Sequence, residues 1–427
     1  MLDAKNPLPR AEDPALAAEA RAPGASGGAR LKPRGSSQGG LRQYNERVVL
    51  QALRLHGPLS GAEIARLTHL TAQTISLITK RLLDDGLLRK GQLLRGKVGQ
   101  PSQPLALNPD GAYAIGIKIG RRSLDVLLVD FTGQSRQRLS LDYPFPDPDT
   151  LFDAIDLRLK ALLKQLGRAA APRIQGIGIA APLSLGGWQT LLGVAPAQAA
   201  KWQDIDIRER VAARTRLPVQ LVKDTAAACV AELVAGRGRD MRSYLYVFVD
   251  TFIGGGLVID SHLHGGHHGN AGAVGSMTIG RGTAPAHGTG AQLLGVASLI
   301  NLEALYRKSN LDTRALADAR ALQPPWRELT HIWLGQAAPA IAQAVHDAAC
   351  LLDLEGVILD GSFGRELLGA LLAEIDTSLG RLNWEGVTRP TLLAGTIGSD
   401  ARAIGGALVP LYAAFAPDSD LFLKLES

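Results

Sequence analysis

The chain has 427 residues, with 46% hydrophobic content and 48 glycines, a composition typical of a soluble α/β protein with two or three domains. It has no run of about 18 apolar residues, no apolar leader segment and only two, widely separated cysteines. We therefore expect no membrane span, no secretion and no disulfide framework. Residues 1–105 hold 16 Lys and Arg against 8 Asp and Glu, whereas the rest holds 30 against 32. This uneven charge is typical of a nucleic-acid-binding module, the alternative being a basic tail that only aids solubility.

The N-terminal region begins with a tail and a helix. Residues 1–40 have no hydrophobic periodicity and are rich in Ala, Pro, Gly and Ser, which predicts a disordered basic tail that touches DNA phosphates. An amphipathic helix is predicted from residue 41 to about residue 55, and the pair Gly57 and Pro58 ends it.

Residues 58–88 carry a helix-turn-helix signature. Ser60 and Glu63 are spaced as a capping box, and Thr71 offers an N-cap to a second helix. Apolar residues follow each cap at helical spacing and predict two buried faces, which consist of Ile64, Ala65 and Leu67 and of Ile75, Ile78 and Leu82. Two short helices joined by a tight turn are how a protein presents a recognition helix to the major groove.

A basic β-hairpin is predicted behind this motif, with strands at residues 87–90 and 104–107, and we expect it to lie as a wing along the DNA. The residues expected to contact DNA are Thr71, Gln73, Thr74, Ser76, Lys80, Arg81, Arg95 and Lys97. Gln73 and Thr74 begin the recognition helix, where base edges are reached, and Gln pairs well with adenine. Ser76 and the basic residues are expected at phosphates. The alternative is that these side chains form only an exposed polar helix face.

The rest of the chain alternates strands and helices in two successive sets, which predicts two α/β lobes around a cleft. The predicted strands are residues 112–120, 124–130, 174–179, 219–222, 244–249, 255–259 and 357–360. The predicted helices are residues 151–166, 225–235, 333–352 and 401–414.

Together these blocks resemble the ROK family, in which bacterial sugar kinases share a fold with sugar-responsive repressors. The resemblance covers residues 41–415 and rests on the segments 114–133, 176–182, 202–207, 217–232, 246–259, 266–275 and 395–407. It implies an α/β chain in which an N-terminal winged helix-turn-helix precedes a two-lobed, actin-like or ribonuclease-H-like sugar-kinase fold. The implied boundaries are a tail at 1–40, a DNA-binding domain at 41–108 and a ROK-type domain at 112–427. Lobe one would hold residues 112–222 and 401–427, and lobe two residues 223–400.

Both phosphate loops depart from the family pattern. Where family kinases have an Asp-x-Gly-Gly-Thr loop, Arg121 and Arg122 replace the second Gly and the Thr. In the second loop, Asp250 and Phe252 replace glycines, and a carboxylate there would repel phosphates. We therefore expect neither ATP binding nor a catalytic residue, and Asp224 occupies only the vestigial position of the kinase base.

The family's structural zinc site is also lost, because the segment that supplies its His reads as residues 272–276 without one and no cysteine cluster follows. A histidine-rich loop nearby holds His262, His264, His267 and His268, but it has no cysteine or acidic partners. We expect no metal and no cofactor, and we interpret this loop as solvated or core-lining.

The sugar site is altered as well. The positions of the family's sugar-binding Glu, His and second Glu fall on Ala273, Ser276 and Leu294, and Lys223 replaces the Asn before Asp224. We expect Lys223, Asp224 and Asn270 to bind an effector. Three alternatives stay open at this point: an ordinary hexose, a more apolar or anionic effector near Lys223, and no ligand. Asp224 either accepts a hydrogen bond from that effector or pairs with Lys223.

These observations predict a cytoplasmic, nucleoid-associated transcriptional regulator that represses carbohydrate-metabolism genes. Its partners would be a palindromic operator in double-stranded DNA, a sugar or sugar-derived effector, and further copies of itself in a homodimer or homotetramer. The alternatives are a sugar kinase with an appended DNA-binding module and a DNA-binding scaffold whose body serves only for assembly.

Overall fold

The computed structural model describes residues 38–92, 103–187, 189–280 and 291–417. The chain forms two compact units, Met1–Gln43 and Tyr44–Ser427. Described residues 38–43 of the first unit begin helix α1 (Gln38–His56), and the second unit holds every later element. Within the described residues, no helix combines the length and the apolar character that crossing a bilayer requires.

The predicted helix-turn-helix is present as α2 (Gly61–Thr68) and α3 (Ala72–Asp84). Both predicted caps are confirmed, because Ser60 and Glu63 form a reciprocal capping box and the Thr71 side chain accepts the N–H of Thr74. Ile64, Ile75, Ile78 and Leu82 are buried as predicted, and Ala65 and Leu67 are partly buried beside them.

The strands of the wing are β1 (Leu88–Lys90) and β2 (Leu105–Leu107), which pair antiparallel with Leu88 opposite Leu107. Residues 93–102 lie outside the described residues, so the predicted DNA contacts Arg95 and Lys97 stay predictions. Leu59 bridges to Leu105, which ties the segment before α2 to the wing.

The first half of the body is a five-stranded sheet with helices on it. Its elements are β3 (Tyr113–Ile119), β4 (Ser123–Asp130), β5 (Ser135–Asp142), α4 (Pro148–Leu166), β6 (Ile174–Ala181), α5 (Gln189–Leu192), α6 (Pro196–Ala200), α7 (Ile207–Ala212) and β7 (Val219–Lys223). The strand order is β5-β4-β3-β6-β7, in which β3, β4 and β5 form an antiparallel meander and β3, β6 and β7 run parallel. Because the carboxyl ends of these parallel strands meet at one edge, the loops after them come together there.

The second half repeats this plan. Its elements are α8 (Asp224–Ala235), β8 (Tyr244–Val249), β9 (Gly254–Ile259), β10 (His262–His264), β11 (Thr278–Ile279), β12 (Ala291–Gln292), α9 (Leu293–Ala297), α10 (Leu299–Lys308), α11 (Arg327–Leu352), β13 (Gly356–Gly361), α12 (Arg365–Leu379) and β14 (Thr391–Ala394). The sheet order β10-β9-β8-β13-β14 again joins an antiparallel meander to parallel strands. This architecture confirms the predicted α/β class, and its two five-stranded sheets share one strand plan.

The last helix, α13 (Ala401–Phe415), packs against β3, β6 and α8. Glycines allow this close approach. A Cβ atom on Gly178 of β6 would lie 1.8 Å from the carbonyl oxygen of Gly406, and one on Gly405 would lie 1.7 Å from that of Ala227 in α8. Since such contacts leave no space for even one methyl group, the position of α13 is tightly constrained.

The winged helix packs directly onto the body. Its buried residues and those of β4, α8 and α13 form one continuous apolar cluster. Arg54 of α1 donates to the carbonyl of Phe131 at 3.2 Å, and its guanidinium lies 5.2 Å from the ring centres of both Phe131 and Tyr412. Arg239 donates to the carbonyl of Leu55. The winged helix is therefore fixed to the body by packing and by hydrogen bonds.

Candidate DNA interface and effector cleft

One face of α3 is free of the core. Gln73, Ser76, Lys80 and Arg81 are exposed, whereas Ile75 on the opposite side is buried. Residues seven apart share a helix face, so Gln73 and Lys80 point the same way. An exposed polar face on the second helix of this motif is the arrangement that major-groove binding requires.

Three of the predicted DNA contacts already have protein partners. The hydroxyl groups of Thr71 and Thr74 lie 2.8 Å apart, and Thr71 also caps α3. A guanidinium nitrogen of Arg81 lies 3.5 Å from the carboxylate of Glu46. These side chains are therefore pre-positioned by the protein, and Arg81 would have to share its charge between Glu46 and a phosphate.

Sequence reasoning missed Leu77, whose side chain is 67% exposed on α3. It lies one turn after Gln73 and one residue after Ser76, within the polar face. An apolar residue in the middle of such a face is the signal that would have revealed it. A side chain of this type can contact the methyl group of thymine.

A cavity of about 220 Å³ opens at the carboxyl edge of the first sheet. All three predicted effector residues, Lys223, Asp224 and Asn270, line it. Two further lining residues follow other parallel strands of the sheet, Arg121 after β3 and Ser184 after β6. The β7-to-α8 junction has no connecting loop, which places Lys223 and Asp224 directly at the cavity wall.

Asp224 forms its ion pair with Arg402 rather than with Lys223. One carboxylate oxygen accepts the N–H of Thr225 at 2.8 Å, and the other lies 3.9 Å from a guanidinium nitrogen of Arg402. The ammonium group of Lys223 instead donates to the carbonyl of Gly255 at 3.3 Å. Of the two roles left open for Asp224, pairing with Lys223 is thus not the arrangement observed.

Ala273, Ser276 and Leu294 also line the cavity. These are the three positions at which the resemblance predicts loss of sugar-binding side chains. Only the Ser276 hydroxyl remains as a polar side chain among them. The wall therefore offers few acceptors for the hydroxyl groups of a sugar.

The first phosphate loop borders a second cavity, of about 370 Å³. Buried Lys118 lies 2.9 Å from the carboxylate of Asp125, which also accepts hydrogen bonds from Arg138 at 2.7 Å and Ser140 at 2.6 Å. Burial opposes ionisation of Asp125, but Lys118 and these hydrogen bonds outweigh it and lower the pKa to about 2. Arg122 of the loop pairs with Glu303.

This depressed pKa predicts an acid-dependent stability. Because the folded-state pKa of Asp125 is below its ordinary value of about 3.9, its contribution is complete above that value and is lost as the pH falls toward 2. We expect the unfolding free energy of the wild type, relative to Asp125→Asn, to decrease by about 2 kcal/mol between pH 6 and pH 2. Urea denaturation across this range measures it, and a pH-independent difference would contradict the assignment.

The second phosphate loop is occupied by an ion pair. A carboxylate oxygen of Asp250 lies 2.5 Å from a guanidinium nitrogen of Arg402, which α13 supplies. Burial raises the pKa of Asp250, but Arg402 and then Lys118 outweigh that effect and hold the pKa below its ordinary value. The guanidinium of Arg121 lies 4.6 Å from the ring centre of Phe252, and it donates to the Ser184 carbonyl at 3.2 Å.

A metal centre has no ligand set in the part of the chain that the structure describes, where no three His, Cys, Asp or Glu side chains come together. His264, His267 and His268 are exposed, and the last two contact each other edge-on with ring centres 4.7 Å apart. Ser276 stands where the family's zinc-binding His is expected, and the chain's two cysteines, Cys229 and Cys350, lie far from that segment in the sequence. The residues present therefore do not fit the family's zinc.

Two family models match the chain, the ROK family over residues 114–410 and a winged helix-turn-helix DNA-binding module over residues 42–89. The chain belongs to the ROK family, as its motifs predicted. It is similar to the xylose repressor of Caldicellulosiruptor bescii, at 27% identity over 245 residues, and to that of Bacillus subtilis, at 25% over 243 residues. Each match covers 56% of this chain and spans only 59% and 61%, respectively, of the repressor.

A solved structure described as a ROK family transcriptional regulator, homologous to the Escherichia coli Mlc protein, has the same fold. It superposes with a TM-score of 0.64 at 20% identity and covers 88% of this chain and 98% of its own. The fold of the chain is therefore shared with that structure.

Proposed function

We propose that this chain is a DNA-binding transcriptional regulator that represses carbohydrate-metabolism genes. In this proposal the winged helix at 41–108 reads the operator, the tail at 1–40 adds phosphate contacts, and the ROK-type domain at 112–427 senses an effector and assembles protomers. The observation that carries the proposal is the exposed face of α3, held on a body whose family includes named repressors. The tail and domain boundaries come from the sequence.

The interface residues divide by chemistry. Gln73 stands at the start of α3, where its amide can bind the N6 and N7 edge of adenine. Lys80 and Ser76 lie further along the same helix and are assigned to phosphates. Arg95 and Lys97 of the wing are assigned to the neighbouring backbone. Such contacts give a binding strength that falls steeply with salt.

Several features argue against a sugar kinase. Phosphate loops work by bringing backbone N–H groups close to the nucleotide, which small residues permit. Arg121, Arg122 and Phe252 are bulky, and the carboxylate of Asp250 carries the same sign of charge as a phosphate. Asp224, at the position of the kinase base, lies 3.9 Å from Arg402, so its carboxylate already has a cationic partner.

Effector sensing is assigned to the cleft that Lys223, Asp224 and Asn270 line. A homodimer or homotetramer would place two recognition helices one helical turn of DNA apart, which matches a palindromic operator. Such a regulator acts in the cytoplasm, at the nucleoid.

The test uses the purified full-length chain and fluorescein-labelled duplexes enriched from fragmented genomic DNA. We expect one enriched class to bind with a Kd on the order of 10⁻⁸ M or tighter, at least about a thousandfold tighter than random duplex. In the same preparation, a coupled ATP-consumption assay over a hexose and pentose panel should give no turnover. Absence of sequence-selective binding would contradict the regulator, and measurable turnover would favour the kinase.

A further inference from the structure

The effector cleft contains two cations that the protein leaves without a carboxylate partner. Among the described residues, no acidic side chain lies at ion-pair distance from Arg121 or Lys223. Among the described residues, their hydrogen-bond acceptors are backbone carbonyls, those of Ser184 and Gly255 respectively, and the Arg121 guanidinium also lies against the Phe252 ring. The acidic residue that lines the cavity, Asp224, is already paired with Arg402. The cavity therefore presents unneutralised positive charge.

These two cations also have hydrogen-bond donors to spare. The Nε of Arg121 is buried and has no hydrogen-bond partner in the described part of the chain, and Lys223 uses one of its three N–H groups on Gly255. Burial disfavours the charged forms and lowers the pKa of both side chains, which the attraction of Asp224 only partly offsets. A bound anion would supply both the missing acceptors and the missing charge.

The remaining wall offers little to a neutral hexose, which has only hydroxyl groups to bind with and no charge to pair with the two cations. Such a sugar needs acceptors for several hydroxyl protons, and Ala273 and Leu294 offer none. Ser276, Asn270 and Asp224 can still bind a few hydroxyl groups. The cavity of about 220 Å³ is smaller than the roughly 300–1,000 Å³ of drug-sized sites, so its ligand is a small molecule.

The charge at the wall selects among anions. Arg121 and Lys223 together with Asp224 give a net charge of one positive unit. A carboxylate carries one negative charge, which matches this net charge, whereas a phosphate monoester carries about −1.5 to −2 at pH 7 and exceeds it.

We propose that the cleft binds a sugar acid, a polyol of monosaccharide size whose single carboxylate lies between Arg121 and Lys223. This inference rests on the proposed function, in which the cleft is the effector site. It assigns the chemical class of the ligand, and it gives Arg121 a role in recognition.

The experiment is isothermal titration of the full-length protein at 0.15 M salt. The probes are D-gluconate, D-glucuronate and D-galacturonate, with glucose, xylose and glucose 6-phosphate as comparisons. We expect at least one sugar acid to bind and no neutral sugar to bind as tightly. Lys223→Met and Arg121→Gln should each weaken that binding about tenfold or more, and Lys223→Arg should retain most of it. Lys308→Met, which removes an exposed cation of α10, is the matched control and should change nothing.

Three outcomes would overturn the inference: no sugar acid binds, glucose 6-phosphate or a neutral sugar binds best, or binding survives both cleft variants unchanged. Circular dichroism and melting of each variant separate loss of binding from loss of folding. The operator assay is independent of this one. If the protein binds its operator selectively but binds no sugar acid, only the proposed ligand class is wrong. If it binds a sugar acid but no duplex, the proposed regulator function is wrong.

Discussion

Replacing Arg402 by Met is expected to lower the free energy of unfolding by about 3 kcal/mol. The guanidinium of Arg402 is buried, lies 2.5 Å from the carboxylate of Asp250 and is 3.9 Å from that of Asp224. Removing it leaves two largely buried carboxylates without their nearest cation, with Lys118, Arg121 and Lys223 as the remaining positive neighbours. Breaking a buried pair from one side leaves an uncompensated charge, which is the costly case. Urea denaturation at pH 7 measures the loss.

Two controls define the origin of this effect. The double variant Arg402→Met/Asp250→Asn removes the orphaned charge and should recover a large part of the lost stability, giving a coupling energy of about 1–3 kcal/mol. Arg389→Met breaks an exposed pair with Asp376 and should cost about 0–1 kcal/mol. If the Arg402 and Arg389 variants had the same free energy of unfolding, the ion pair in the second phosphate loop would not stabilise the fold.

Two substitutions on α3 are expected to weaken operator binding in different ways. Gln73→Ala should cost about 1–3 kcal/mol on the selected operator and almost nothing on random duplex, because it removes a base contact. Lys80→Met should weaken both duplexes similarly and reduce the slope of log K against log salt by about one, because it removes a phosphate contact. Both side chains are exposed, so neither change should alter folding.

Fluorescence anisotropy with operator and random duplexes at several salt concentrations distinguishes the two effects. Gln203→Ala, an exposed Gln of the body, is the matched control and should bind like the wild type. If Gln73→Ala weakened binding to both duplexes equally, Gln73 would contact a phosphate, and another residue of α3 would have to contact the bases.

The DNA-binding module was predictable because its signals are local. A capping box and an N-cap are decided within four residues, and the structure confirms those at Ser60 and Thr71. Strand β5 was missed because it is an exposed edge strand with many polar residues. Helix α12 was missed as well, and its N-cap, Gly364, has no side chain to signal a start.

The candidate cleft was predictable only in part. The family resemblance located Lys223, Asp224 and Asn270, which line one cavity, but no local pattern indicates that Asp224 pairs with a residue of the last helix. The hydrogen bonding of Arg121 also depends on tertiary structure. Its Nε has no partner among the described residues, and only the folded chain reveals this. Long-range charge pairing is not encoded in spacing along the chain.

Helix α13 holds Arg402 at one end, beside Asp224, and Tyr412 at the other, against Arg54 of the winged helix. Between those ends, its glycines pack closely against β6 and α8. If the proposed effector tilts this helix, we expect the packing of the winged helix against it to change as well. Thermodynamic linkage makes this exchange two-way: whatever factor a ligand applies to operator affinity, the operator applies to ligand affinity. Under the proposed function, a protomer bound to its operator and a free protomer would therefore have different affinities for the effector.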